Sequence, residues 1–212
     1  KFHSGDLPGD IDIVAQISTD GGASWTEPIM VAQGKGNGKG YGDPVLMTAQ
    51  SGKLITLYVG GPGLWGSTPE NPIRQYMSTS DDNGRTWNGP IDITPQIFGA
   101  ESPDPIRSKW RGSFFGSGHG LTMRNGRVMA VIAVIEPGMN GLQNYAIYSD
   151  DEGATWQVSN RAIVGGDEAK VVELDNGDIL MSSRTGGNRL WAKSRSEERR
   201  GGKECICRWA PF

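Results

Sequence analysis

One eight-residue motif occurs three times in this chain of 212 residues and constrains the fold more than any other feature. Its pattern is Ser-x-Asp-x-Gly-x-(Ser/Thr)-Trp, and its copies occupy residues 18–25, 80–87 and 149–156. The motif aspartates are therefore separated by 62 and then 69 residues. A motif that returns at a nearly regular period predicts a repeat architecture.

Each copy has the composition of a tight turn between two strands. An aspartate can accept hydrogen bonds from the backbone N–H groups that follow it, and glycine adopts the positive φ that such turns require. The Ser/Thr side chain adds a second cap, and the tryptophan is expected to anchor the turn by apolar packing. We therefore predict that Asp20, Asp82 and Asp151 are structural and not catalytic.

A second repeat alternates with the first. It is a glycine-containing dipeptide before an apolar run: Ser51-Gly52 before 54–59, Asn125-Gly126 before 128–135, and Asn176-Gly177 before 179–181. Such dipeptides before β-forming residues indicate hairpins. Several short antiparallel strands in each period are typical of the four-stranded blades of a β-propeller, so the predicted class is all-β.

Composition excludes some functions and leaves others open. The net charge of −3 gives no indication of nucleic-acid binding. The longest apolar run, residues 128–135, is too short to cross a bilayer and is predicted to be a buried strand. The two cysteines, Cys205 and Cys207, form a Cys-x-Cys pair that is weak evidence for zinc, and we predict no metal and no cofactor. The chain begins at Lys1, without a recognisable signal peptide.

The three motif copies resemble the Asp boxes of bacterial sialidases (neuraminidases), and the resemblance extends over residues 1–194. It implies a six-bladed β-propeller, of which this chain would cover about three blades. A complete propeller at this period needs roughly 350 to 400 residues. Asp boxes also occur in other carbohydrate-active and non-catalytic propellers, so a functional assignment depends on the residues between them.

The segment Gly5-Asp6-Leu7-Pro8-Gly9-Asp10-Ile11-Asp12 is similar to the sialidase stretch that begins with the acid/base aspartate. Asp6 is the matching position, and a carboxylic acid there would protonate the glycosidic oxygen of the leaving group. Asp10 and Asp12, in the same segment, remain alternatives for this role. A plain surface-loop aspartate is the structural alternative.

Two further segments carry the resemblance. Asp43, in Gly42-Asp43-Pro44, matches an aspartate that contacts the sugar in the substrate pocket. Glu168 matches the glutamate that deprotonates the nucleophilic tyrosine, and Arg184 matches one of three arginines that bind the substrate carboxylate. The structural alternative for Glu168 and Arg184 is an exposed ion pair, which would stabilise the fold little.

The implied chemistry explains these residue types. Sialic acid carries a carboxylate on its anomeric carbon, and guanidinium groups bind carboxylates in a bidentate, directional way. Sialidases use a tyrosine nucleophile in place of the usual second carboxylate, with a neighbouring glutamate as its base. The resemblance thus implies an exo-sialidase that hydrolyses terminal sialic acid from glycoproteins and glycolipids with retention. It also implies a secreted, periplasmic or cell-surface location.

Two weaker candidates stay open. His119, in a glycine-rich stretch at residues 116–120, is either a glycan contact or an exposed turn residue, and we favour the second. Trp65 is either an aromatic wall for the sugar or part of the packing between strands.

Some parts of a complete site have no match in the sequence. These are the upstream arginine, the third arginine and the tyrosine, so the chain alone is expected to be inactive. The repeat period predicts a fourth Asp box near residues 202–207, where none occurs. Residues 195–212 contain eight charged residues and both cysteines. We predict that 1–194 form a partial propeller and that 195–212 are a non-native or disordered tail; a natural solvated tail is the alternative.

Other functions remain compatible with the motifs. A non-catalytic Asp-box module would keep the boxes without needing Asp6, Asp43, Glu168 and Arg184 together. A trans-sialidase or an elimination variant would share all of these residues. A glycosidase with two catalytic carboxylates would not need an arginine cluster.

Overall fold

The computed structural model describes residues 6–36, 38–68, 70–194 and 209–211. The strands in chain order are β1 (Ile13–Ala15), β2 (Ile29–Ala32), β3 (Tyr41–Thr48), β4 (Leu54–Gly60), β5 (Arg74–Ser80), β6 (Asn88–Asp92), β7 (Gly112–Phe115), β8 (Gly118–His119), β9 (Leu121–Thr122), β10 (Val128–Ile135), β11 (Gln143–Ser149), β12 (Gln157–Val158), β13 (Ile163–Val164), β14 (Ala169–Glu173), β15 (Ile179–Ser183), β16 (Leu190–Ser194) and β17 (Trp209–Pro211). One helical turn, α1 (Thr94–Ile97), and a 3-10 turn (Arg107–Lys109) interrupt them. Within these described ranges, no helix has the length and apolar character needed to cross a membrane.

The strands of the described part form four sheets. Sheet A pairs β1 with β2, and sheet B has the order β6-β5-β4-β3-β8. Sheet C has the order β12-β11-β10-β7, with β9 and β13 at its margins, and sheet D has the order β14-β15-β16-β17. Neighbouring strands are antiparallel except for β3 and β8. The prediction of an all-β fold is confirmed.

Strand β10 is apolar throughout because both of its faces are covered. Its residues Val128, Ala130, Ile132 and Val134 belong to a core shared with Ile55 and Leu57 of sheet B. The alternate residues Met129 and Val131 belong to a second core with Ile179 and Met181 of sheet D. Successive side chains of a strand point to opposite faces, so one strand serves both interfaces. The prediction of a buried strand at 128–135 is confirmed.

The predicted hairpin turns are present. Gly52, Gly126 and Gly177 have φ values of 92°, 93° and 84°, which L side chains rarely adopt. The turns lead into β4, β10 and β15, the strands predicted from the apolar runs.

The three boxes share one hydrogen-bond pattern. In the second box, the backbone N–H of Thr86 donates to Asp82 Oδ1 at 2.9 Å, and its hydroxyl donates to Oδ2 at 2.6 Å. The hydroxyl of Ser80 donates to Oδ1 at 2.8 Å. These bonds, those from Thr86 first, lower the pKa of Asp82 to about 2. The box aspartates therefore act as turn caps, as predicted.

The box tryptophans differ in burial. Trp156 is 4% exposed and belongs to the core between sheets B and C. Trp87 is half-buried and donates its Nε1 hydrogen to the carbonyl oxygen of Gly84 at 3.1 Å. Trp25 is 61% exposed, so the prediction of an apolar anchor is wrong for the first box. The reason is that Trp25 lies in the connection between β1 and β2 of the two-stranded sheet A, and no described sheet covers it there.

The expectations for the C-terminal segment lie largely outside the described residues. This applies to residues 195–208, and so to Cys205, Cys207 and the expected position of a fourth box. Within 209–211, strand β17 pairs antiparallel with β16.

Candidate functional site

The strand registers separate two ends of each sheet. In sheet B, Leu54 lies opposite Ser80, where the second box begins, and Gly60 lies opposite Arg74 at the other end. In sheet C, Ser149 at the start of the third box lies at the corresponding end of the β10–β11 pair. The second and third boxes lie at the same end of the strands, because the N–H of Ser51 in the β3–β4 turn donates to Glu152 Oε1 of the third box at 3.1 Å.

A cavity of about 790 Å³ opens at the end opposite the boxes. It is lined by Asp6, Leu7, Pro8, Asp43, Pro62, Gly63, Leu64, Trp65, Gly66, Ile73, Phe114, Leu142, Asp167, Glu168 and Arg184. The four residues singled out from the sequence, Asp6, Asp43, Glu168 and Arg184, are all among them. The structure thus brings together residues from three separate segments of the chain.

Glu168 and Arg184 face each other beside the first pair of the β14–β15 ladder. The ladder pairs Ala169 with Ser183, and the N–H of Arg184 donates to the carbonyl oxygen of Glu168 at 2.8 Å. Their side chains meet at 3.0 Å between Arg184 Nη1 and Glu168 Oε2. Both side chains are more than half exposed, at 59% and 52%, so the pair stabilises the fold little. Both remain accessible from the cavity.

Asp43 adopts an unusual backbone conformation. It lies in an irregularity of the β3–β4 pairing between Gly42 and Val45, has a φ of 53°, and precedes Pro44. A left-handed φ is uncommon for a residue with a side chain, and such strained positions cluster at functional sites. Its Oδ1 accepts a hydrogen bond from Ser117 Oγ at 3.1 Å.

The electrostatic environment of Asp43 favours its protonated form. Burial raises its pKa to about 6, and the nearby charges of Asp6 and Glu168 act in the same direction. The hydrogen bond from Ser117 acts in the opposite direction. The pKa of Asp43 therefore lies about two units above that of an ordinary aspartate.

Glycines position the segment that carries Asp6. The N–H of Gly9 donates to the carbonyl oxygen of Asp6 at 2.9 Å and closes a turn. The loop after β4 packs against this turn so closely that a Cβ at Gly63 would lie 2.5 Å from the carbonyl oxygen of Leu7. Gly63 also has a φ of 76°. Only glycine permits this approach, which brings Asp6 and the loop to the same cavity.

The raised pKa of Asp43 predicts a specific dependence of stability on pH. An unfolded aspartate ionises near pH 4, so between about pH 4 and 6 the folded chain binds more protons than the unfolded chain. Asp43 should therefore make the free energy of unfolding fall as the pH rises through this window, by about 1 to 2 kcal/mol; two pKa units correspond to about 3 kcal/mol, and solvent screening at this partly exposed carboxyl reduces that value. Asp43→Asn should remove this fall, because asparagine tolerates the positive φ and carries no charge.

Urea unfolding at closely spaced pH values measures this effect. Asp175→Asn is the matched control, because Asp175 lies in the exposed turn between β14 and β15. An unchanged slope in Asp43→Asn, or the same change in the control, would contradict the assignment.

The remaining candidates are divided between the cavity and the surface. Trp65 lines the cavity and is 80% exposed. His119 is exposed on β8 and is not among the described lining residues.

Sequence reasoning missed Ser117 as a partner of Asp43. Its position within the glycine-rich stretch at residues 116–120 was visible, but its contact across 74 residues was not.

The lining of the cavity is strongly acidic. Among the described residues, it includes four carboxylates, from Asp6, Asp43, Asp167 and Glu168, and one cation, Arg184. It includes no tyrosine. The arrangement offers carboxyl groups for acid–base chemistry and one guanidinium for an anion.

The fold and the cavity define a class of protein in which repeated antiparallel sheets carry Asp boxes at one end and a polar cavity at the other. The BNR repeat-like domain family matches residues 4–203, and the chain belongs to this family.

The chain is also similar to individual sialidases in sequence and in structure. The chain is 34% identical over 194 residues to a sialidase of Micromonospora viridifaciens, covering 84% of this chain and 29% of that protein. It is 30% identical over 196 residues to a sialidase of Clostridium perfringens, covering 87% of this chain and 50% of that protein. The structure of Hadza microbial sialidase Hz136 superposes with a TM-score of 0.81 at 28% identity, covering 99% of this chain and 41% of that one.

The predicted resemblance to bacterial sialidases is therefore confirmed, and the chain has a fold similar to that of a sialidase. It spans half or less of the length of the relatives named here.

Proposed function

We propose that this chain is part of an exo-sialidase, a glycoside hydrolase that releases terminal sialic acid from glycoproteins and glycolipids with retention. The observation that carries the proposal is the convergence of Asp6, Asp43, Glu168 and Arg184 on one cavity. A non-catalytic binding module has no need for this combination. We further propose that residues 1–194 make up about three blades of a six-bladed propeller, and that the enzyme acts outside the cytoplasm.

Each residue has a role in this proposal. Asp6 protonates the glycosidic oxygen as the aglycone leaves, and then deprotonates the attacking water. Arg184 binds the carboxylate of sialic acid, and Asp43 accepts a hydrogen bond from a polar substituent of the ring. Glu168 acts as the base for a tyrosine nucleophile supplied by another part of the polypeptide. In this chain the two groups are in contact, with Arg184 Nη1 3.0 Å from Glu168 Oε2.

The charge of the cavity supports a further part of the proposal. One guanidinium among four carboxylates can bind an anion only weakly. We propose that additional arginines and the tyrosine join the cavity in the complete enzyme, and that this chain alone does not turn over substrate. Purified chain should release no fluorophore from 4-methylumbelliferyl sialoside above the buffer rate. Release at a rate typical of enzymes would overturn this part.

A chimaera tests the proposed roles in a complete site. Residues 6–194 would replace the aligned segment of the Clostridium perfringens sialidase. We expect a folded chimaera to hydrolyse the fluorogenic sialoside, and Glu168→Gln and Asp6→Asn to lower kcat by about 100-fold or more. Asp10→Asn is the matched control, because the Asp10 carboxylate accepts a bond from the N–H of Gly36 and is not among the described lining residues. Full activity in folded Glu168→Gln or Asp6→Asn chimaeras would refute the roles.

A further inference from the structure

The loop at residues 116–118 lies where three sheets meet. It leaves β7 of sheet C and enters β8, which pairs in parallel with β3 through Val45 and Gly118. On its other side it packs directly on sheet D, because a Cβ at Gly116 would lie 2.5 Å from the carbonyl oxygen of Ala169. The position of this loop is therefore coupled to the strand that follows Glu168.

Lys170 of β14 connects sheet D to this loop by hydrogen bonds. Its ammonium group donates hydrogen bonds to the carbonyl oxygens of Gly116 and Ser117. Desolvation lowers the pKa of Lys170, while the charge of Glu168 raises it. An ammonium that bonds two adjacent carbonyls fixes the orientation of the peptide between them.

That peptide carries the hydroxyl that contacts Asp43. Ser117 Oγ donates to Asp43 Oδ1 at 3.1 Å, and no other side-chain bond to this carboxylate occurs in the described part of the chain. The charged groups that act on Asp43 are Asp6 and Glu168, and both destabilise its ionised form. The Ser117 hydroxyl is therefore the contact that stabilises the carboxylate.

We propose that Lys170 is a positioning residue, which clamps the carbonyls of Gly116 and Ser117 and so holds the Ser117 hydroxyl on the Asp43 carboxylate. The role of this unit in orienting Asp43 toward a sugar rests on the proposed sialidase function. The coupling between Lys170, Ser117 and Asp43 does not depend on that function, and it can be measured on this chain without a ligand.

A double-mutant cycle tests the coupling. The variants are Ser117→Ala, Lys170→Met and their combination, and the measurement is the titration of the Asp43 carboxyl carbon by NMR. Ser117→Ala should move the midpoint upward by about one pH unit, because a hydrogen bond to the charged form is lost. Lys170→Met should move it in the same direction, and the double variant should move it no further than Ser117→Ala alone.

Lys109→Met is the matched control, because Lys109 is exposed and its ammonium makes no bond within the described residues. Its Asp43 midpoint should equal that of the parent chain. Two results would overturn the clamp: no shift in Lys170→Met, or a Lys170→Met shift of equal size with and without Ser117, which would indicate a direct charge effect. Amide spectra of each variant verify that the fold is retained.

The same samples separate this inference from the proposed function. Titration with N-acetylneuraminic acid reports on the proposed function, and the pH titration without ligand reports on the clamp. Absence of ligand binding with an intact cycle would count against the sialidase proposal alone.

Discussion

Replacing Trp156 with alanine is expected to lower the free energy of unfolding by about 3 to 5 kcal/mol. The side chain is 4% exposed and lies in the core between sheets B and C. Its box also meets sheet B at Gly153, where a Cβ would lie 3.0 Å from Met77 Sδ. Truncation would open a large cavity at the contact that joins the two sheets. Urea unfolding at neutral pH measures the loss.

Trp25→Ala provides the matched control from the same motif position. Trp25 is 61% exposed, so its truncation should cost less than about 1 kcal/mol. Both variants keep the hydrogen bonds of the box. The difference between their losses in the free energy of unfolding therefore measures the effect of burying the tryptophan. Equal losses in the two variants would mean that the box tryptophans stabilise their turns locally, independent of packing between sheets.

The second large effect is expected at Arg184, in ligand binding. Arg184→Met should raise the Kd for N-acetylneuraminic acid from about a millimolar to about 10 millimolar or more, so that its shifts no longer approach saturation, because a charge-assisted, bidentate contact with its carboxylate is lost. The variant also leaves Glu168 without the partner that now lies 3.0 Å from it. Arg184→Lys should recover part of the affinity, since it keeps the charge but not the planar fork. NMR titration measures these affinities.

Arg189→Met is the control for a general loss of positive charge. Arg189 is exposed on the same sheet and donates to Ser182 Oγ at 2.7 Å, and it is not among the described lining residues. Its removal should leave the affinity unchanged within about twofold. An equal loss in Arg184→Met and Arg189→Met would show that the ligand responds to net charge and not to a specific contact.

Much of this fold was predictable because its signals are local. A box needs only eight consecutive residues to form its hydrogen bonds, and the Asn-Gly and Ser-Gly turns need fewer still. The apolar run at 128–135 also predicted burial, since a strand covered on both faces requires apolar residues at every position. The resemblance then added the four cavity residues, which no spacing rule alone would have grouped.

The features that escaped prediction depend on how separate sheets meet. The parallel pairing of β8 with β3 joins segments that are 73 residues apart at Val45 and Gly118, and nothing local marks it. That pairing brings Ser117 beside Asp43, and the packing of the same loop on sheet D brings it to Lys170. The exposure of Trp25 could not be predicted from its motif either, because buried Trp156 stands in a motif of the same pattern. Local sequence specifies the turn, and the neighbouring sheet decides what covers it.

The most direct test of the central claim is an NMR titration of this chain with N-acetylneuraminic acid, with N-acetylglucosamine as the uncharged control sugar. We predict weak binding, with a Kd of about a millimolar, since one arginine serves a carboxylate that the complete site would hold with more. The signals of Asp43, Glu168 and Arg184 should shift, while those of the box residues Asp82 and Asp151 stay fixed. Equal shifts with both sugars, or shifts confined to the box end of the sheets, would contradict the account.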